Sequence, residues 1–378
     1  MSQIRILHVA SFSGNIGDNA SHIGFSVIFK QIFQKITEER LEIRRFYKNY
    51  SLPDKLYFDE SFVRKANAFD LLVIGGGGFL DYWVPNSATG TTIDISKEIF
   101  DKLKVPTLIC SVGCIPHREV PEGNEERFKS FLTQALSKKN VRILLRNDGS
   151  KEVLKKISGS EYDSIPTILD NGFFFDIDEN THFNMLNNKY IAINTTLDQL
   201  EMKGNYNCQV DKGMISKELC TYILSVIENT DYHIVLIPHI YADIKAFQIL
   251  LNDINDFYVR TRIHIAPYTQ GDYGCKLLFF IYKNAEYCVG MRFHANVCNL
   301  AMNKPVSGLA VLNRIKYVHD SVGNFASVVD VNTPFSSVLF KATLENVGKK
   351  LPQDIRLNVE TAKTDSLEIY RHVLNEIL

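Results

Sequence analysis

The chain has 378 residues, of which 42 are basic and 43 acidic, so its formal net charge is only −1. With 45% hydrophobic and 22% charged residues, this composition is typical of a soluble globular protein. It offers no basic surplus for nucleic acid as the main ligand. No apolar run is long enough to span a membrane, and the length favours two domains over one core.

The first residues lead directly into an apolar strand and lack the pattern of a signal peptide. The seven cysteines are scattered without a C-x-x-C pair, and an odd number cannot all pair within one chain. We therefore expect a reducing, cytoplasmic location, and no metal site. The sequence leaves open a peripheral contact with the inner membrane face, and it is silent on oligomeric state.

Strands alternate with helices along the first half, which predicts a doubly wound parallel sheet in a Rossmann-like domain over residues 1–176. The predicted strands are 4–10, 41–46, 70–74, 107–112 and 142–145. Two loops at strand ends suit ligand contact, namely 14–18 and the four glycines 75–78. The glycines equally suit close domain packing, and Asp18 equally suits a helix cap, which we slightly favour.

A polar stretch over 176–188 predicts a domain boundary, after which the alternation restarts in a second Rossmann-like domain over residues 189–378. Its predicted strands are 190–194, 233–238, 263–266, 285–289, 306–311 and 328–331. Two helices end the chain, and the last is free to cross back to the first domain. We expect the loop-bearing edges of both sheets to face one central cleft.

The turn from Gly290 to His294 lies between a buried apolar strand and an apolar helix. Helix N-termini carry unpaired N–H groups that favour an anion, and Gly290 lets a ligand approach the backbone. Arg292 adds a permanent cation, and His294 adds a group that can exchange a proton near neutral pH. The alternative for an isolated R-x-H is a surface ion pair beside a half-buried histidine.

Further basic residues follow other predicted strands, namely Arg146, His239, Arg314 and Lys316. Several cations with one histidine suit a small, multiply charged anion such as a phosphorylated carboxylate. His239 fits either a cleft lining or an ordinary loop histidine. The sequence contains no P-loop, no D-x-D for a metal-bound nucleotide sugar, and no G-x-S-x-G of an acyl hydrolase.

Taken together, these motifs resemble the polysaccharide pyruvyltransferase family from about Ile6 to Gly323. The most specific part is the R-x-H-A turn, with Pro305 eleven positions after His294. The weaker parts are 14–18, 75–78, Ser111-Val112-Gly113 and Arg146-x-x-x-Ser150. The resemblance implies a GT-B-like fold and transfer of pyruvate from phosphoenolpyruvate to a sugar of a surface or capsular polysaccharide or its precursor, as a ketal. Phosphoenolpyruvate is then the donor substrate, and no cofactor is expected.

This interpretation predicts a catalytic set of three residues, His294, Arg292 and Arg146. The predicted donor contacts are Arg292, His294, Arg146, Lys316, Arg314 and Gly290. The predicted acceptor contacts are Asn15, Asp18, Gly76, Gly77 and His239. Arg314 keeps the family spacing from His294 whereas Lys316 keeps the residue type, and we favour Lys316 because short loop insertions are well tolerated.

One position departs from the family pattern. Asn147 follows Arg146 where the family has Asp, and Asp148 comes one place later, so the role of that carboxylate stays open. Two alternative functions share the fold: a GT-B glycosyltransferase that uses a nucleotide sugar, and a non-catalytic paralogue that binds a glycan or its lipid carrier. The sugar acceptor, and whether it is lipid-linked, cannot be read from the sequence.

Overall fold

A computed structural model describes residues 3–177, 183, 185–203, 206 and 210–378. The first sheet contains β1 (Gln3–Ala10), β2 (Lys35–Glu42), β3 (Leu71–Gly77), β4 (Thr107–Val112), β5 (Val141–Arg146) and β6 (Thr167–Ile168). Its helices are α1 (Ile16–Ile32), α2 (Glu60–Ala66), α3 (Lys97–Asp101), α4 (Asn124–Ser137) and α5 (Ser150–Ser158). The strand order is β2-β1-β3-β4-β5-β6, and every pair is parallel.

The second sheet contains β7 (Tyr190–Asn194), β8 (His233–Leu236), β9 (Ile263–Ile265), β10 (Tyr287–Gly290), β11 (Val306–Leu309) and β12 (Val328–Val329). The helices of this half are α6 (Lys212–Asn229), α7 (Tyr241–Asn252), α8 (Asp256–Arg262), α9 (Gly271–Asn284), α10 (Phe293–Ala301), α11 (Asn313–Asp320), α12 (Ser336–Asn346) and α13 (Gln353–Ile377). The order β12-β11-β10-β7-β8-β9 is again fully parallel. The predicted α/β class with two Rossmann-like parallel sheets is therefore confirmed.

The prediction of a strand over 41–46 was wrong. The strand β2 lies earlier, over Lys35–Glu42, and Ile43–Phe46 forms a short 3-10 helix capped by the Glu42 side chain. The strand is polar because it lies at the edge of the sheet, whereas Ile43 and Phe46 are apolar because they pack into the core. The predicted boundary 176–188 lies partly outside the described residues, and each sheet falls within one of the two predicted domain ranges.

Both sheets reverse their strand order at one point. In the first sheet this point lies between β1 and β3, and in the second it lies between β7 and β10. Ligands of open α/β sheets bind beside the carboxyl ends of the strands at such a point. The loops after β1, β3, β7 and β10 are therefore where the fold itself favours a binding site.

A continuous apolar core joins the inner faces of the two halves. It includes Phe29 of α1, Phe279 of α9, Val297 of α10 and Tyr370 of α13, all fully buried. A separate apolar cluster covers the outer face of each sheet. The two domains are thus docked through a largely apolar interface, which fixes the geometry of the site at their strand ends.

The helix α13 bridges the two domains. Near its start, Asn358 donates a hydrogen bond to the carbonyl of Val322 in the second domain (3.1 Å). Further along, Ser366 accepts from the backbone N–H of Leu169 (2.9 Å), and Tyr370 donates to Asn171 (2.7 Å). Among the described helices, none combines the length and apolarity required to cross a bilayer.

Candidate active site

The turn after β10 places Arg292 at the N-cap of α10 and His294 in its first turn. The backbone N–H of Arg292 donates to Asn194 Oδ1 at the end of β7 (3.0 Å), and Asn194 Nδ2 donates to the carbonyl of Ile237 (3.0 Å). Gly290 is closely packed here, since a Cβ would lie 3.0 Å from Asn296 Nδ2 and 3.1 Å from Ala295 Cβ. The turn is therefore anchored to the neighbouring strand β7 and, through Asn194, to the end of β8.

The Arg292 guanidinium is buried and held by two carboxylates. Its Nε and Nη2 donate to Asp243 at 2.6–3.1 Å, and Nη2 also donates to Asp198 and Thr196 at 2.8 Å. Burial alone would lower the pKa of Arg292, but the Asp243 carboxylate more than offsets it, so the pKa is raised. Arg292 is permanently charged, and its orientation is fixed before any ligand arrives.

Arg146, at the end of β5, is held in the same way by the first domain. Its Nε donates to Asp148 Oδ2 (2.6 Å), and Asp148 Oδ1 accepts from the backbone and hydroxyl of Ser150. Gly113 at the end of β4 lies against this pair, since a Cβ there would be 2.6 Å from Asp148 Oδ2. The shifted carboxylate therefore still positions Arg146.

Asn147, the departure from the family pattern, connects the domains instead. Its Nδ2 donates to Ser321 Oγ of the second domain (2.7 Å), and its Oδ1 accepts from the N–H of Asp170 (2.8 Å). An aspartate at this position could not donate to a hydroxyl while ionised. The Asn147 amide can therefore donate a hydrogen bond to one domain and accept one from the other.

Asp170 lies between the two basic groups. Its Oδ1 is 3.3 Å from His294 Nε2, without hydrogen-bond alignment, and its Oδ2 is 3.7 Å from Arg146 Nη1. It also accepts from Gly172 N (2.8 Å) and from Ser111, whose φ of 52° is in the left-handed region. Burial would raise the pKa of Asp170, but His294 and Arg146 lower it below the usual range.

The His294 ring is enclosed by glycines. A Cβ on Gly17, in the first turn of α1, would lie 2.5 Å from His294 Nδ1, and one on Gly172 would lie 3.3 Å from Cδ2. Because Gly17 belongs to the first domain, the imidazole of the second domain is pressed against the loop predicted to bind the acceptor. His294 therefore lies between the acceptor loop and the basic cluster.

Phe293 supports two of the arginines. The guanidinium carbon of Arg146 lies 4.6 Å from the ring centroid, and that of Arg314 lies 5.8 Å from it. Arg314 forms none of the ion pairs found among the described residues, and its Nε is buried without a hydrogen bond. Burial, with Arg146 close by, lowers the pKa of Arg314 to about 10. A cation with no carboxylate partner beside another cation is a strong candidate anion-binding group.

Arg314 and Lys316 occupy different surroundings, although they are two residues apart. Both belong to α11, which begins at Asn313. Residues i and i+2 of a helix do not share a face. Arg314 is half-buried against Phe293, whereas Lys316 is exposed. The structure brings Arg314 into the cluster and leaves Lys316 outside it, contrary to the preference drawn from residue type.

Asp81 completes the cluster from the first domain. It follows the loop after β3, is 8% exposed, and folds back so that a Cβ on Gly78 would lie 2.6 Å from its Oδ2. It faces the charges of Arg146, Asp148 and Arg314, yet among the described residues Arg146 forms ion pairs only with Asp148 and Asp170. Burial raises the pKa of Asp81 to about 8, since the nearby arginines only partly offset it.

The predicted acceptor residues of the first loop surround the start of α1. Asn15 is the N-cap, accepting from Gly17 N (3.0 Å), and its Nδ2 donates to Asp18 (3.0 Å). Asp18 is therefore not the cap, contrary to our expectation, and it pairs with Arg44 (3.4 Å). Burial raises the pKa of Tyr47 to about 12; the Arg44 charge lowers this pKa, while Asp18, Glu42 and Asp81 add to the rise.

Three other predicted acceptor residues have buried positions. Gly76 has a φ of 80° and lies against Ser21 and His22, while Gly77 lies against the ring of Phe79. The His239 ring is fully buried, with Nε2 2.9 Å from the hydroxyl of Tyr282. Burial lowers the pKa of His239 to about 3, so it is neutral. The His239 side chain has no exposed surface to offer an acceptor, and its backbone N–H donates to Asp243 Oδ2 (2.9 Å).

Asp81, Asp170, Asp198 and Asp243 were not selected from the sequence. Asp170, Asp81 and Asp198 lie two to four residues after the ends of β6, β3 and β7, so the strand-end rule that selected Arg146 could also have found these three. Asp243 carries no such signal, because its role depends on meeting Arg292 in space. The described residues contain no group of three or more His, Cys, Asp or Glu side chains that could hold a metal ion.

Two parallel α/β domains with basic side chains at facing strand ends define a GT-B-like protein. Solved structures agree: a glycosyltransferase from Rickettsia africae has 13% identity and a TM-score of 0.58, with 98% of this chain and 99% of that chain covered. A UDP-GlcNAc 2-epimerase from Methanocaldococcus jannaschii has 13% identity and a TM-score of 0.54, with 98% and 100% covered. At such identities the likeness concerns the fold alone.

The sequence model of the polysaccharide pyruvyl transferase family matches residues 15–313. The chain therefore belongs to the polysaccharide pyruvyl transferase family. None of the curated proteins matches its sequence. The matched region includes Asn15, Asp81, Arg146 and the turn from Gly290 to His294, and it ends one residue before Arg314.

The raised pKa of Asp81 predicts a dependence of stability on pH. A folded-state pKa of about 8, above the value of about 3.9 for an unfolded aspartate, means that the folded chain retains a proton that the unfolded chain loses. The wild type should therefore lose stability relative to Asp81→Asn as the pH rises from 5 to 8, with little further change above. Thermal unfolding of both proteins across this range measures it; a constant difference would show that Asp81 is ionised in the fold.

Proposed function

We propose that this protein transfers a pyruvyl group from phosphoenolpyruvate to two hydroxyls of a sugar in a surface or capsular polysaccharide or its precursor, forming a ketal and releasing phosphate. Family membership supports the reaction class. The observation that carries the choice of donor is the cluster of Arg146, Arg292 and Arg314, in which Arg314 has no carboxylate partner among the described residues. A small ligand with two anionic groups would complete this cluster.

The two anionic groups of the donor are assigned to different arginines. Arg314 and Arg146, both against Phe293, would bind one group, and Arg292 with the N-terminal end of α10 would bind the other. Because Asp148 and Asp243 already fix the orientation of Arg146 and Arg292, little reorganisation is needed on binding. These cations also stabilise the charge of the departing phosphate.

His294 is assigned as the group that moves protons of the acceptor. It lies against Gly17 of the acceptor loop on one side and near Asp170 on the other. It would take the proton of the first sugar hydroxyl as that oxygen bonds to C2, and pass it to the departing phosphate. Asp170 stabilises the imidazolium formed in between. Asn15 and Asp18 are proposed to bind the acceptor, and no cofactor is required.

We also propose that the reaction takes place in the cytoplasm, with the acceptor either free or attached to a lipid. The six cysteines among the described residues are all buried and unpaired, which fits a reducing compartment. Peripheral contact with the inner membrane face would follow if the acceptor is lipid-linked.

The direct test combines a titration with a product analysis. Calorimetry should detect binding of phosphoenolpyruvate but not of UDP or GDP, and mass spectrometry should find a pyruvate ketal on galactose- or mannose-type acceptors with release of phosphate. Binding of a nucleotide alone would favour a glycosyltransferase. Binding of a glycan without any phosphate release would favour a non-catalytic paralogue.

Arg314→Gln and Lys316→Gln form a matched pair of substitutions on one helix. Loss of a charge-assisted hydrogen bond contributing roughly 1.5–3 kcal/mol should weaken phosphoenolpyruvate binding about 10- to 100-fold in Arg314→Gln. Because Arg314 has no ion-pair partner among the residues described, its removal strands no buried carboxylate, and the unfolding temperature should not fall. Lys316→Gln should bind normally; weakened binding in Lys316→Gln but not in Arg314→Gln would reverse the assignment.

His294→Ala should lower kcat by about two to four orders of magnitude, because a proton-transfer group is lost. Binding of phosphoenolpyruvate should change much less, since the arginines remain. Steady-state kinetics with calorimetry separates the two effects, and circular dichroism checks the fold. Turnover at the wild-type rate in a folded His294→Ala protein would remove this role.

A further inference from the structure

Asp81 differs from the other carboxylates of the site. Asp148 and Asp170 pair with Arg146, and Asp198 and Asp243 pair with Arg292. Asp81 forms no ion pair among the described residues, although it is buried and faces the same basic cluster. A carboxyl group without a counter-ion in such a place is more stable in its neutral, proton-bearing form.

The reaction proposed above requires an acid. The methylene carbon of phosphoenolpyruvate, C3, becomes a methyl group in the ketal, so one proton must be added to this carbon. A carboxylic acid that stays protonated near neutral pH is suited to that step. The charge of Arg146 and Arg314, by contrast, can only hold the anionic groups, because a guanidinium does not release its proton in proteins.

We propose that Asp81 is the catalytic acid that protonates C3 of the enolpyruvyl group, an assignment that rests on the proposed function. The Asp81 proton bonds to C3 while the C2–C3 π electrons form that bond, and C2 becomes electrophilic. The first sugar hydroxyl adds to C2 and its proton goes to His294, which transfers it to phosphate as the C2–O bond breaks. The second hydroxyl closes the ketal, and its proton restores the Asp81 acid.

The position of Asp81 fits this step. It follows β3 at the strand-order reversal of the first sheet, just as Arg292 and His294 follow β10 at the reversal of the second. Gly78 allows the carboxyl group to fold back against the loop, since any Cβ there would lie 2.6 Å from Oδ2. The titratable and charged groups that face Asp81 are Arg146, Asp148, Arg314, Tyr47 and Cys114.

Two cations and one carboxylate are therefore the charged neighbours of Asp81, and they act in opposite directions. The arginines and a hydrogen bond from the backbone N–H of Ile115 lower its pKa, while burial and Asp148 raise it, and burial dominates. The arginines would be occupied by the donor during the reaction. Their positive charge is then compensated by phosphate and carboxylate groups, which favours the protonated form of Asp81 further.

The test compares the wild type with Asp81→Asn, which keeps the shape of the side chain but has no acidic proton. Asp81→Asn should bind phosphoenolpyruvate within about threefold of the wild type and lose turnover by about two to four orders of magnitude. Asp81→Glu should regain part of the activity, because glutamate restores an acidic proton. A role that needs only the shape and hydrogen bonds of the side chain would not predict this recovery. Asp94→Asn is the matched control: it makes the same change in the same segment, where Asp94 pairs with Lys48 outside the arginine cluster, and it should leave kcat unchanged.

A further readout separates acid catalysis from a positioning role. In the wild type, kcat/KM should fall as the pH rises through about 8, because the acid of the free enzyme loses its proton, and this decrease should be absent from the residual activity of Asp81→Asn. In D₂O the product methyl group should carry one deuterium whichever group is the acid, so mass spectrometry of the product tests the protonation of C3 that the proposed function requires.

The outcomes are distinct for the two proposals. If the wild type forms a ketal and Asp81→Asn turns over at a comparable rate, Asp81 is not the acid, and the proposed function stands. If the wild type binds phosphoenolpyruvate but yields no ketal with any acceptor, both proposals fail. Loss of phosphoenolpyruvate binding in Asp81→Asn, with turnover unchanged at saturation, would show that Asp81 only shapes the donor site.

Discussion

The site depends on a single shared carboxylate. Asp170 belongs to the first domain, yet it faces His294 of the second domain as well as Arg146 of its own. The Ser111 hydroxyl and the N–H of Gly172 donate hydrogen bonds to the Asp170 oxygens. Because Asp170 is buried, its charged form is stable only while these partners and the basic groups are in place. The imidazole and the guanidinium therefore acquire their relative positions only when the domains are docked. Loss of Asp170 would leave two buried basic groups without their common partner.

A second hydrogen-bond network, centred on His319, positions Arg314 in the basic cluster. His319, on the same helix, lies with Nε2 2.8 Å from Asn296 Oδ1 of α10 and with Nδ1 3.0 Å from Asn324 Nδ2. Burial lowers the pKa of His319 to about 4, so this histidine is neutral and suited to one donor and one acceptor contact. These contacts fix α11 against α10, and Arg314 and Phe293 thereby acquire a common orientation.

The alternation of elements and the main basic residues were predictable because both are local properties of the chain. Arg146 and Arg292 each follow a buried apolar strand, and parallel strands end at the same sheet edge. The choice between Arg314 and Lys316 was not predictable, since it depends on where a helix begins. With the helix starting at Asn313, the two side chains point to different sides. The role of Asp243 was not predictable for another reason, since nothing near it in the sequence indicates a contact with Arg292.

The bridging helix has a consequence for how this chain can be divided. A continuous helix of 25 residues is about 38 Å long, and α13 contacts Val322 at one end and Arg142 at the other. The C-terminal half of α13, with Ser366, Tyr370 and Glu376, is therefore a structural component of the first domain. A chimera that exchanges only residues 1–176 between relatives would separate the C-terminal half of α13 from the first-domain residues that it contacts. Recombination between family members should accordingly move both pieces of chain together.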